Sequence, residues 1–339
     1  RGTLDAQNFT TATDTYNTAV GFAAGGAVTT GRSNTLIGGL AGDALTDADY
    51  NVAIGTDALT ADTLGSNSVA VGVGALYTQN FTTATNAYNV AVGRSAGLSV
   101  TTGVKNTLIG GLAGDAMTIG FNNIAIGYDA LGTNTASGAN VAIGYEALKT
   151  YNNTTEASHF NTAVGTQAGK AVTTGVQNTL IGGGAGDALT DADSNVAIGY
   201  LSLTTDTLGS RSIAIGQGAL YSQNFTTGTN SYNVAVGYEA GGAVTTGDSN
   251  TLIGGLAGDA LTVGNSNVVL GYNALSSDTK GDRSVAIGMA TLTTQNFTTS
   301  TDAYNTAVGF AAGNAVTTGV QNTLIGGVAG DALDVGSFN

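Results

Sequence analysis

Apolar and polar residues alternate along this chain in a short pattern that keeps returning. The unit is N-x-h-h-G, with h apolar: NTAVG from Asn17, NTLIG from Asn34, NVAIG from Asn51, NVAVG from Asn89. The motif opens at Asn17, Asn34, Asn51 and Ser68, then at Asn89, Asn106, Asn123 and Asn140. It opens again at Asn161, Asn178, Asn195 and Ser212, at Asn233, Asn250, Asn267 and Ser284, and at Asn305, Asn322 and Asn339. The spacings run 17, 17, 17, 21 and then repeat without slipping, so a 17-residue coil is nested in a 72-residue super-repeat. The super-repeats run 17–88, 89–160, 161–232 and 233–304, with partial ones at 1–16 and 305–339, and residues 1–339 read as one repetitive shaft. RGTLDAQ (1–7) aligns one super-repeat on with VGALYTQ (73–79), so the chain reads as a window on a longer array.

Within one motif, Val52 and Ile54 project to one side of a strand and Ala53 to the other. Both sides are apolar, which suits a strand covered on both faces. The reading places Val52 and Ile54 in the core and leaves the third-position Ala53, Ala91 or Leu36 on a wet outer face. The fourth position is Val, Ile or Leu in all 18 complete motifs, and the fifth is always Gly, as in Gly21, Gly38, Gly55 and Gly72. Gly there suits a turn with positive φ, or a backbone packed too closely for a Cβ. Ala58, with Leu59 after it, suggests a second short strand facing the first. Two strands of about five residues and two turns fill one coil. The expectation is a parallel β-solenoid, or β-roll, of about 19 coils. The opening Asn51 and its counterparts suit either a hydrogen-bonded ladder between coils or a turn.

Composition narrows the function. The chain has 53 Gly, no Pro, Cys or Trp, 42% hydrophobic and 9% charged residues. That hydrophobic fraction is enough to bury a core and argues against disorder. A net charge of −14 disfavours a nucleic-acid partner, which needs clustered Lys and Arg. No apolar run is long enough for a transmembrane helix, so no membrane contact is expected from this segment. One His, no Cys and few charges leave no nucleophile–base pair, and the chain reads as a non-enzyme without a cofactor.

The recurring motif resembles the head repeats of YadA-like trimeric autotransporter adhesins, and similar repeats of phage tail-fibre proteins. That resemblance covers residues 1–339 and implies a homotrimer of left-handed β-rolls, intertwined or side by side, on a cell surface or virion. The partners it implies are further copies of the chain and a host-surface receptor or glycan. A long exposed apolar stripe at the third position points the same way, because such stripes mark interfaces.

Every fourth coil carries an insertion: QNFTTATNAY from Gln79, QNFTTGTNSY from Gln223, QNFTTSTDAY from Gln295. Its aromatics, Phe81, Tyr88, Phe225, Tyr232, Phe297 and Tyr304, are candidates for receptor contact or for covering a seam between chains. The same segments hold N-x-T at Asn8, Asn80, Asn152, Asn224 and Asn296, candidate glycan acceptors. Other motifs carry less. Asp43, Asp115, Asp187, Asp259 and Asp331 recur once in four coils, too sparsely for stacked Ca²⁺ sites, and read as solvated turn residues. VGTQAGKA (164–171) has Ala171 where a phosphate loop needs Ser or Thr. AVTTG (27–31) recurs too rarely for an ice-binding Thr array. His159, the one His, reads as a surface residue. The expected function is a structural, adhesive shaft of an extracellular fibre; the alternatives are a phage tail-fibre shaft and a monomeric solenoid that binds a ligand, calcium or ice.

Overall fold

The computed structural model describes residues 2–339. Among these it has strands and turns and no helix. Two compact units divide the chain, residues 1–174 and 175–339. In the first, nine three-residue strands, from Thr18–Val20 and Thr35–Ile37 to Val141–Ile143 and Thr162–Val164, each occupy the x-h-h positions of one motif. Neighbouring strands pair in parallel without a register shift: Val52 lies opposite Val69, Ala53 opposite Ala70, Ile54 opposite Val71. The register survives the longer coil, where Ala70 faces Ala91. The second unit repeats this from Thr179–Ile181 to Thr323–Ile325, with Ala197 opposite Ala214 and Ala214 opposite Ala235. Each unit is a parallel β-solenoid.

The strand faces are the reverse of the expectation. Ala53, Ala91 and Leu36 are fully buried, whereas Val52 and Ile54 are only half-buried. Side chains alternate along a strand, so the third position shares a face with the opening Asn and the fifth-position Gly. The Asn and the third-position side chains are the buried ones. The interior of one coil is narrow: it accepts one small or matched side chain per strand, and the two flanking β-branched residues go outside.

That matching is visible between coils. Leu36 replaces Ala at the third position, and Gly42 stands where the next coil has Leu59. A Cβ on Gly42 would lie 2.8 Å from Leu36 Cδ2, and one on Gly25 only 2.7 Å from Leu36 Cδ1. Leu45 Cδ1 lies equally close to that Gly42 position, at 2.8 Å, so the space a leucine takes at residue 59 in the next coil is filled here by Leu36 and Leu45.

The second strand is also corrected. Ala58 and Leu59 are fully buried, but they lie in a turn, and Leu59 has φ 54°. Asp57 and Tyr50 are likewise left-handed, with φ 56° and 60°. Such conformations cost of order 1 kcal/mol each in a non-glycine residue. The stack holds them in place: Tyr50 N donates to Arg32 O at 3.0 Å, Asp57 N to Gly39 O at 3.0 Å, and Leu59 N to Ala75 O at 3.0 Å. A second ladder appears only at the longer coils, as Gly65–Ser66 with Thr85–Asn86, Gly209–Ser210 with Thr229–Asn230, and Gly281–Asp282 with Thr301–Asp302. At Gly55 both expected reasons for glycine hold. Its φ is +135°, and a Cβ would stand 2.5 Å from the carbonyl oxygen of Gly72 in the next coil.

Candidate functional site

Two features stand out: a polar seam inside each unit and an apolar face outside it. The seam is the asparagine ladder. Asn51 N donates to Asn34 Oδ1 at 2.9 Å, Asn51 Nδ2 to Gly65 O at 2.9 Å, and Ser68 N to Asn51 Oδ1 at 2.9 Å. One carboxamide thus caps a donor of the next coil and an acceptor at the far end of its own coil. In the longer coil Ser68 is too short to continue this pattern, and Gln79 from the insertion replaces it. Gln79 Nε2 donates to Ser68 Oγ at 3.0 Å and to Asp62 Oδ2 at 2.6 Å, and its Oε1 accepts from Asn89 Nδ2 at 2.8 Å. Asp62 Oδ1 accepts from the backbone N–H groups of Gly65 and Phe81, at 3.0 and 3.1 Å. Burial pushes the Asp62 carboxyl above its ordinary range, and the Gln79 and backbone hydrogen bonds partly offset this. Asp278 is raised for the same reason, with Gln295 in place of Gln79.

The super-repeat at 89–160 satisfies its seam differently. Asn134, Asn140 and Tyr151 stand where Asp62, Ser68 and Gln79 stand in the super-repeat before it. His159 is a correction to the sequence reading: it is only 7% exposed. Its Nδ1 lies 2.6 Å from the hydroxyl of the fully buried Tyr151, and its Nε2 lies 3.1 Å from Thr155 Oγ1. Desolvation lowers the His159 pKa. The signal available in the sequence is Tyr151, the one residue of the insertion series that breaks the Gln79, Gln223, Gln295 pattern.

The outer face carries the second and fourth positions of every motif. Ile37, Ile109 and Ile181 are each 37% exposed, large values for β-branched residues in the middle of a sheet. Aromatic residues flank this face on both edges. Before the opening Asn stand Tyr16, Tyr50, Tyr88, Phe160, Tyr232 and Tyr304, and after the Gly stand Phe22, Tyr128, Tyr145, Tyr200, Tyr238 and Tyr272, all exposed. Tyr128 and Tyr145 stack at 5.9 Å with rings 13° apart. Arg211 and Arg283 lie over Tyr232 and Tyr304, at 5.9 and 5.6 Å from the ring centroids. The apolar stripe inferred for the third position therefore exists, on the opposite set of residues and with larger side chains.

The insertion aromatics separate into two groups. Phe81, Phe225 and Phe297 are each 6% exposed and pack against the preceding coil, where their Cδ2 atoms close over Gly65, Gly209 and Gly281. They are not available for contact with a receptor. Tyr88, Tyr232 and Tyr304 are exposed on the edge of the outer face. Among the N-x-T asparagines, Asn8, Asn80, Asn224 and Asn296 are exposed and Asn152 is half-buried. Asn80, Asn224 and Asn296 each accept a hydroxyl hydrogen bond through Oδ1, from Thr63, Thr207 and Thr279 at 3.1, 3.2 and 3.1 Å. Asp43 and Asp187 accept from Thr60 and Thr204, both at 2.5 Å. Lys170, in the glycine-containing 164–171 segment, pairs with Glu146 at 2.7 Å. Among the described residues, no three His, Cys, Asp or Glu side chains come together to hold a metal ion, and no helix is long and apolar enough to cross a membrane.

No protein-family model matches the chain, and no curated protein matches it either.

Proposed function

We propose that the chain is a structural shaft that self-associates side by side as a homotrimer through its Val/Ile face and works as part of an extracellular fibre. The observation that supports this reading is the outer face itself: β-branched residues in every coil, bordered by two rows of aromatics, left open to water. Contiguous apolar surface on that scale marks an interface, and a coil-by-coil repeat presents the same self-complementary patch along its length. The exposed Tyr88, Tyr232 and Tyr304 would then recur along the assembled shaft as repeated weak contacts for a surface receptor or glycan, with avidity exceeding single-site affinity.

The test is the mass of the native particle by light scattering, for the unaltered chain and for Ile54→Lys combined with Ile198→Lys. The expected result is about three times the 33.2 kDa chain mass, falling to a folded monomer in the variant. A stable monomer of the unaltered chain overturns the assembly and brings a monomeric binding module to the front.

A further inference from the structure

A cavity of about 410 Å³ lies in the second unit, lined by Tyr200, Tyr221, Gln217, Ser222, Glu239 and Asp259. Its volume is in the range of small-ligand sites. Gly218, Gly242, Ala243 and Leu201 complete the lining, and the repeat register explains why the space is open. One super-repeat earlier, the positions of Leu201, Gly218, Tyr221 and Gly242 are occupied by Asp129, Glu146, Lys149 and Lys170. In the first unit these four side chains fill the equivalent place with an ion cluster. Lys149 Nζ lies 2.9 Å from Asp129 and 2.7 Å from Glu146, and Lys170 Nζ lies 2.7 Å from Glu146. The second unit has lost both lysines from these positions and kept negative charge nearby, now on Glu239 and Asp259. Among the described residues neither makes an ion pair, and Asp259 Oδ1 is a buried oxygen with no hydrogen-bond partner.

We infer that this cavity binds a primary ammonium group carried on an alkyl chain, such as a lysine side chain of another molecule. The chain itself places two such groups in the equivalent space of the first unit. Tyr200 and Tyr221 place aromatic rings in the lining, where a cation gains about 0.5–2 kcal/mol over a ring face according to desolvation, and Glu239 and Asp259 oppose its charge. The Asp259 carboxyl is raised by burial and further by the neighbouring Glu239 charge, a repulsion that a bound cation relieves. A neutral ligand of the same shape leaves it in place.

The experiment is calorimetric titration of the full chain with Nα-acetyl-lysine methylamide, with the Nε-acetylated compound as the neutral control. Saturable one-to-one binding of the free amine is expected, with the acetylated control at least tenfold weaker. Glu239→Gln should weaken amine binding about tenfold. Gly242→Lys restores the residue type of Lys170 at a position whose φ is not left-handed. It should abolish binding while leaving the chain folded, with a melting temperature equal to or above that of the parent. Equal binding of the two compounds, no saturation at millimolar amine, or unchanged affinity in both variants would overturn the assignment.

Discussion

Replacing Asn51 with Ala tests the idea that the seam, more than the strand pairing, holds the coils in register. The Asn51 carboxamide is fully buried and has two partners that nothing else satisfies: the Ser68 amide and the Gly65 carbonyl. Both belong to buried residues. The backbone amide of residue 51 still reaches Asn34 Oδ1, so the loss is confined to these two groups. An orphaned buried donor or acceptor costs about 1–3 kcal/mol, which gives roughly 4 kcal/mol for the pair. Ala fits sterically, since the change only removes atoms. Unfolding of a repeat stack need not be two-state, so the assay is local. Hydrogen exchange of the Ser68 amide and its neighbours should accelerate by about three orders of magnitude, at about 1.4 kcal/mol per factor of ten. The guanidinium midpoint of the containing unit should fall with it. Tyr50→Ala, at the adjoining exposed position, is the control. If Asn51→Ala changes Ser68 exchange by less than tenfold, water or a shifted backbone is satisfying those groups and the ladder is not what holds the coils.

Two further outcomes follow from particular contacts. Leu36→Ala should cost about 2–5 kcal/mol by opening a cavity against Gly25 and Gly42, read as a lower denaturation midpoint; an unchanged midpoint would refute the close packing of Leu36 against these two glycines. Acidification should stabilise the chain within a limited window. The folded pKa of Asp62 and Asp278 lies above the unfolded value of 3.8, so the folded state holds protons the unfolded state has already released, and their contribution rises as pH falls from neutral toward 3.8. Glu146, held down to about 2 by Lys149 and Lys170, acts in the opposite direction only below its ordinary 4.5. Protonation of Asp62 and Asp278 should therefore raise the melting temperature between pH 7 and 4.5, against the opposite pull of His159, whose desolvated imidazole resists the proton that the unfolded chain takes up below 6.5. Relative to the parent, the chain with both Asp62 and Asp278 replaced by Asn should lose stability progressively as pH falls through that range, and a difference that does not change with pH would contradict it.

The sequence by itself determined the period, the parallel strand in each coil and the special role of two positions. Those features repeat with every coil: glycine at Gly55 is required by a positive φ and by the next coil's carbonyl 2.5 Å away, and an opening Asn is followed one coil on by Asn or Ser. The seam repair by Gln79 is legible too, since Gln79, Gln223 and Gln295 accompany Ser68, Ser212 and Ser284, while Tyr151 accompanies Asn140. Only the tertiary structure decided which strand face is the core. NVAIG is apolar on both faces, so hydrophobicity cannot choose between them. The choice is made by the width of the closed coil and by the buried Asn, whose parity carries Ala53 inward and leaves Val52 and Ile54 outside. The same closure makes Ala58 and Leu59 part of a turn and holds Leu59 left-handed, because coil-to-coil hydrogen bonds support a conformation that a leucine does not favour alone. His159 and Phe81 turn inward against expectation for a related reason: whether one side chain is buried depends on what the neighbouring coil presents to it, and a single repeat does not contain that information.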